Sequence, residues 1–126
     1  MADEKTILVV DDSPVALEII TDDLTEAGYT VLTASTPQEA MGVVASGYKP
    51  DLILVDVMMP GMNGDEFCKM VKSKPETKDI PVVFVSTKDD SELKAMIASA
   101  GADGYLRKAS LNSGQLASLI EKFFKK

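Results

Sequence analysis

The chain contains no histidine. That excludes histidine-based acid/base catalysis, a Ser-His-Asp triad and a histidine-ligated zinc site. It contains a single cysteine, Cys68, so no internal disulfide can form, and a reducing cytoplasm is the compartment that fits. With no histidine beside it and a helical setting, Cys68 reads as a small core or surface residue, not a nucleophile. No apolar run is long enough to span a bilayer, and no signal-peptide core is present. Positive charge is in deficit: 13 Lys and Arg against 20 Asp and Glu leave a net charge of −7. Duplex DNA, RNA and anionic membrane are therefore poor partners for the body of the chain. The basic end at Lys122, Lys125 and Lys126 suits a helix C-terminus meeting its own dipole. Linkers, low-complexity tracts and a second domain are also lacking. The 126 residues suffice for one domain with a real core.

What is present centres on Asp51–Gly64, DLILVDVMMPGMNG. Leu52 to Val55 run straight into Asp56. A short continuous apolar run after Lys49-Pro50 and before a Pro/Gly loop reads as a strand buried on both faces. A carboxylate at the C-terminal end of such a strand sits where open parallel sheets bind ligands.

Along the chain the pattern repeats. Thr6–Val10 is a second apolar run, ending in Asp11-Asp12. Ser13-Pro14 opens a helix with Leu17, Ile20, Leu24 and Ala27 at helical spacing, and Gly28 stands where a C′ glycine belongs. Tyr29–Ala34 reads as a strand. Thr36-Pro37-Gln38-Glu39 is a capping box that opens a helix with Ala40, Val43 and Val44 inward, closed near Gly47. After the central strand, Asn63-Gly64-Asp65-Glu66 opens a helix through Phe67, Met70 and Val71, and Lys74–Asp79 is a polar loop. Val82–Val85 is the fourth run, ending at Ser86-Thr87. Asp89 with Glu92 caps a helix carrying Leu93, Ile97 and Ala100, which Gly101 to Gly104 break. Tyr105-Leu106 is a short fifth strand ending in Arg107-Lys108. Asn112 with Gln115 opens a last helix whose Leu116, Leu119, Ile120, Phe123 and Phe124 form one stripe. Five strand–helix alternations with short connections predict a doubly wound α/β fold. It has a five-stranded parallel sheet in the flavodoxin-like order 2-1-3-4-5, with helices on both faces.

Parallel strands bring all their C-terminal ends to one rim, here Asp11-Asp12, Asp56, Ser86 and Lys108. Each has a plain reading alone. An acidic pair before Ser-Pro is more often a helix cap than a metal site. A lone Asp or Ser at a strand end more often serves a turn or a backbone group, and a Lys opening a loop is more often solvated. Taken together they are three carboxylates, a hydroxyl and an ammonium in one small volume. Crowded carboxylates repel, and a divalent cation relieves this. Oxygen-only ligands select Mg²⁺ or Mn²⁺. A carboxylate can attack a phosphoryl group and form an acyl phosphate, with metal and ammonium neutralising its charge. Asp56 is the expected nucleophile. Asp11, Asp12, Asp56 and the Met58 backbone carbonyl are the expected metal ligands. Lys108 and Ser86 are expected to hold phosphoryl oxygens.

With these residues placed, the chain resembles the receiver domain of two-component response regulators end to end, so residues 1–126 are expected to form a single receiver domain. The features that carry the resemblance are VVDDSP, LVDVMMPGMNG, PVVFVST and GYLRK. The CheY-like, stand-alone type is the expected form, and a fragment of a longer regulator is the alternative. The resemblance implies phosphorylation of Asp56 by a histidine kinase or phosphotransfer protein, with Mg²⁺, and slow self-dephosphorylation. It implies a switch, not an enzyme. Ser86 would move toward the phosphoryl group and Tyr105 would rotate inward, altering a partner-binding surface of the fourth helix, fifth strand and fifth helix. Tyr105 is equally readable as an ordinary half-buried strand aromatic. A cytoplasmic monomer or weak dimer is expected, with no nucleic acid or membrane partner.

The chain departs from the family pattern in places. Ala109 follows Lys108 where the family usually has proline. A cis bond there would cost about 3–4 kcal/mol, so trans is expected. Thr87 replaces a commonly small residue, and Met58 and Lys88 flank the pocket entrance. Three rivals are weighed against the main reading. A phosphorylation-independent interaction module would be expected to lose part of the acid pocket. A flavin carrier would need a Ser/Thr/Gly-rich loop where DDSP stands. A phosphohydrolase of the aspartyl-phosphate kind usually has a second acid at the position of Met58.

Overall fold

The computed structural model describes residues 5–46, 50–56, 64–86, 90–107, 120, 121 and 123. Among these residues five strands and four helices alternate: β1 (Thr6–Val10), α1 (Pro14–Glu26), β2 (Thr30–Ala34), α2 (Pro37–Ala45), β3 (Leu52–Asp56), α3 (Gly64–Ser73), β4 (Val82–Ser86), α4 (Asp90–Ala100) and β5 (Gly104–Arg107). All pairings are parallel, in the order β2-β1-β3-β4-β5. The expected doubly wound sheet is therefore the observed one.

The continuous apolar runs become central strands because both of their faces are covered. Alternate residues of each strand feed two cores. Leu8, Val10, Ile53, Val55, Val82 and Phe84 pack with residues of α2, α3 and α4. Ile7, Val9, Leu52, Leu54, Val83 and Val85 pack with Ile20 and Leu24 of α1, and with Ile120. Each large side chain so buried contributes about 1.5–3 kcal/mol, so neither strand face tolerates a polar residue cheaply. Among the described residues, no helix is long and apolar enough to cross a membrane.

Helix ends follow local chemistry. Ser13 is the N-cap of α1, with Pro14 in the first turn. At the other end Gly28 adopts φ +101°, its N–H bonds Thr25 O, and the Tyr29 N–H bonds Leu24 O. This is a Schellman closure, which a left-handed glycine makes cheap. Tyr29 thereby belongs to the helix end, and the strand begins one residue later than expected. Ala27 is the C-cap and exposed, not inward. Thr36 caps α2 by accepting the Glu39 N–H at 3.1 Å. The Glu39 carboxylate reaches back chiefly to Ser35, bonding its N–H at 2.7 Å and its hydroxyl at 3.0 Å. Those bonds hold its pKa below the usual carboxylate value.

Two details differ from expectation at the amino ends of the strands. Gly104 is the first residue of β5, not part of the break. A side chain there would overlap the ring of Phe123, so only a bare backbone lets that ring lie on the strand. The polar loop after α3 contains a buried residue, Thr77, whose Oγ1 donates to Val71 O at 2.6 Å and closes the helix. Residues 108–119 and 124–126, which include most of the expected last helix, lie outside the described residues, as do Gly47, Asn63 and Asp89 of the expected helix ends.

Candidate functional site

Strand register decides which residues meet at the carboxyl rim. Val10 pairs with Val55, so Asp11 and Asp56, each one residue further on, stand side by side. Asp56 pairs with Val85, one residue before Ser86, and Ser86 pairs with Arg107, one residue before Lys108. Asp11, Asp56 and Ser86 are all buried, at 1%, 7% and 2% exposure, whereas Asp12 is exposed. One carboxylate oxygen from each of Asp11, Asp12 and Asp56 lies within 4.8 Å of the others. The three acids expected from the sequence are thus brought together. Lys108 and Met58 lie outside the described residues, as do Thr87, Lys88 and Ala109.

The donor set suits a hard cation. Metal–oxygen distances of about 2.0–2.1 Å put ligand oxygens on one Mg²⁺ at most about 4.2 Å apart. The limit of 4.8 Å lies a little above that, so small side-chain adjustments or a retained water bring the three acids onto one ion. Carboxylates with no histidine or thiolate beside them favour Mg²⁺ or Mn²⁺ over zinc.

The helix-cap reading of the acidic pair is partly correct. Asp11 Oδ1 accepts the Ser13 N–H at 2.9 Å, an Asx-type turn. The Asp11 N–H in turn donates to Ala34 O at 3.1 Å, continuing the β1–β2 ladder past the strand end. Asp11 is therefore both a turn residue and a member of the acid cluster. An Asp placed two residues before an N-cap serine is the sequence signal for this bond, and the expectation above did not use it.

Tyr105 is half-buried and packs on the core that contains Phe84, its register partner. Strand alternation puts Ser86 on that same face, two residues beyond Phe84. Cys68 is fully buried, and its thiol donates weakly to Ala100 O at 3.6 Å. Burial pushes its pKa up to about 11, with Lys72 opposing and Asp103 and Asp65 adding lesser effects. A thiol held protonated in this way is a core group and no nucleophile.

Three comparisons with known proteins bear on this arrangement. The family model described as "Response regulator receiver domain" matches residues 7–121. The phosphate regulon transcriptional regulatory protein PhoB of Pseudomonas aeruginosa is 40% identical over 104 residues, which are 82% of this chain but 45% of PhoB. Protein PilH of the same organism is 38% identical over 102 residues, covering 81% of this chain and 84% of PilH. The chain thus spans less than half of the first relative and most of the second. In structure it is similar to the Vibrio cholerae chemotaxis protein CheY4. The TM-score is 0.87 at 32% identity, over 96% of this chain and 99% of CheY4.

Proposed function

The chain belongs to the response regulator receiver family, and from that premise we propose that Asp56 is the residue that takes the phosphoryl group. Receivers of this family are phosphoacceptor switches of two-component signalling. The observation that carries the assignment is the convergence of Asp11, Asp12 and Asp56 at adjacent strand ends, with Asp56 on the central strand.

In the proposed reaction an Asp56 carboxylate oxygen attacks the phosphorus of a phosphohistidine on a kinase or phosphotransfer protein. The phosphorus–nitrogen bond breaks and an acyl phosphate forms. Reversal to the resting state is hydrolysis: water attacks phosphorus, and the carboxylate and inorganic phosphate are released. Asp11 and Asp12, with Asp56 and the Met58 carbonyl, would hold Mg²⁺ or Mn²⁺. That ion, when bound, supplies charge neutralisation to the phosphoryl oxygens. Ser86 donates its hydroxyl to one phosphoryl oxygen and Lys108 pairs with another. Burial of Asp11 and Asp56 supports this, because a low-dielectric setting strengthens each such contact.

The same reading takes residues 1–126 as one receiver domain acting in the cytoplasm, not as an enzyme with external turnover, and as a monomer or weak dimer. Its output surface would be α4, β5 and the last helix, reached through Ser86 and Tyr105. The net charge of −7 favours a protein partner over nucleic acid. The test is incubation with acetyl phosphate and Mg²⁺, followed by intact-mass measurement. A base-labile phosphoryl adduct is expected on the wild type and none on Asp56→Asn, with the circular dichroism of the two alike. Undiminished adduct on Asp56→Asn would place the acceptor elsewhere.

A further inference from the structure

Ser13 uses all three of its polar groups on defined partners. Its N–H donates to Asp11 Oδ1 at 2.9 Å. Its Oγ accepts the Ala16 N–H at 3.3 Å, capping α1. Its carbonyl accepts the Leu17 N–H at 3.0 Å, the first bond of the helix ladder. The residue whose N–H orients the Asp11 carboxylate is therefore the same residue whose carbonyl and hydroxyl start the helix. Its extended backbone (φ −92°, ψ 115°) is set by the cap. The first turn of α1 carries no acid of its own. The acids that its positive end attracts are those just upstream, Asp11 and Asp12.

We propose that Ser13 is a positioning residue for the cation site: by capping α1 it fixes the peptide N–H that holds the Asp11 carboxylate in the geometry the metal needs. The inference rests on the acid-cluster reading above and adds to it a residue that touches neither metal nor phosphoryl group. A carboxylate seated beforehand loses little freedom on binding the ion. One released by a frayed helix start has to be ordered each time. Contacts to a metal ligand from outside the ligand set act in this way.

Helix α2 supplies a matched control. It also begins with a hydroxyl residue followed by proline, Thr36-Pro37, and Thr36 is bonded to residues of its own helix. Mn²⁺ titrations followed by electron paramagnetic resonance, with thermal unfolding of the metal-free proteins, separate the two roles. Ser13→Ala is expected to raise the Mn²⁺ dissociation constant about tenfold, the low end for losing such a contact. Ser13→Thr, which keeps a cap, should stay within about twofold. Thr36→Ala should lose a similar amount of thermal stability and leave Mn²⁺ affinity unchanged. If Ser13→Ala and Thr36→Ala are equally destabilised and both bind Mn²⁺ like the wild type, Ser13 is only a helix cap and the proposal is wrong. If the wild type itself takes up no Mn²⁺, or Asp12→Ala takes it up equally well, the acid-cluster reading fails and the proposal goes with it.

Discussion

The two ends of the sheet handle charge in opposite ways. At the amino ends, charges are matched and tied to backbone. Lys72 of α3 donates to Asp103 Oδ2 at 2.9 Å, Ile80 O at 2.8 Å and Lys78 O at 3.2 Å. The same Asp103 oxygen accepts the Val82 N–H at 2.8 Å, and the Asp103 N–H returns to Val82 O. At the carboxyl rim, three like charges are gathered instead, two of them buried. Matched charges hold elements in place, whereas carboxylates gathered on one rim form a set of oxygen donors suited to a divalent cation. One end is thus a clamp, and the other gathers the oxygen donors that we propose for the cation, with the strands between them.

The largest test of that contrast is at the rim. Asp12→Ala should weaken Mg²⁺ binding by well over the roughly tenfold set for an outer contact, while metal-free thermal stability stays at or above the wild-type value. Calorimetry and a melting curve check both halves. A variant that binds Mg²⁺ normally but melts early would make the rim a clamp like the other end.

The next test reverses the sign. Lys72→Met should cost about 1.5–3 kcal/mol of unfolding free energy, the range for hydrogen bonds to a charged group. Its side chain is partly solvated, which points to the lower half of that range. Denaturant titration measures it, and Mg²⁺ affinity should not change. An affinity loss without a stability loss would show that the two ends are not independent.

The smallest effect is a pH dependence near the clamp. Burial raises the pKa of the Cys68 thiol in the folded protein to about 11, above its ordinary value of 9.0. A raised pKa on an acid means that folding favours its protonated form. The associated stability is complete below pH 9 and is lost as pH rises toward 11. Cys68→Ser should flatten that part of the stability–pH curve and leave Mg²⁺ affinity alone. A thiol reagent should label the native protein only slowly at neutral pH. Rapid labelling there would contradict the burial.

What could be read beforehand follows from how local each interaction is. The three apolar runs leading to Val10, Asp56 and Ser86 were legible because strands covered on both faces cannot afford polar interruptions, whereas edge strand β2, with Thr33 exposed, was legible from its β-rich composition. The rim followed from the fold, since parallel strands of similar length share one carboxyl edge. The caps at Ser13 and Thr36 were legible because their partners lie within one turn. The Lys72–Asp103 pair was not, because residues 31 apart in the chain leave no local pattern. Gly104 read as a breaker, since nothing near it in sequence announces the Phe123 ring. The Asp11–Ser13 bond was within reach, and the expectation stopped at treating cap and metal ligand as alternatives, whereas Asp11 makes the turn bond and also belongs to the acid cluster.

Asp51 shows what the rim owes to the opposite edge. Its N–H donates to Thr6 O at 2.7 Å, and its Oδ2 accepts the Thr6 N–H at 2.8 Å. This reciprocal latch lies in the same register as the four residue pairs between β1 and β3. Strand offset changes only in whole residues, and a slip of one would turn every side chain of β1 to the other face. Asp11 would then miss Asp56 by a full step instead of a small fraction. The alignment of the acids is thus all-or-nothing, and the two bonds at the far end of the strand belong to the register that holds it.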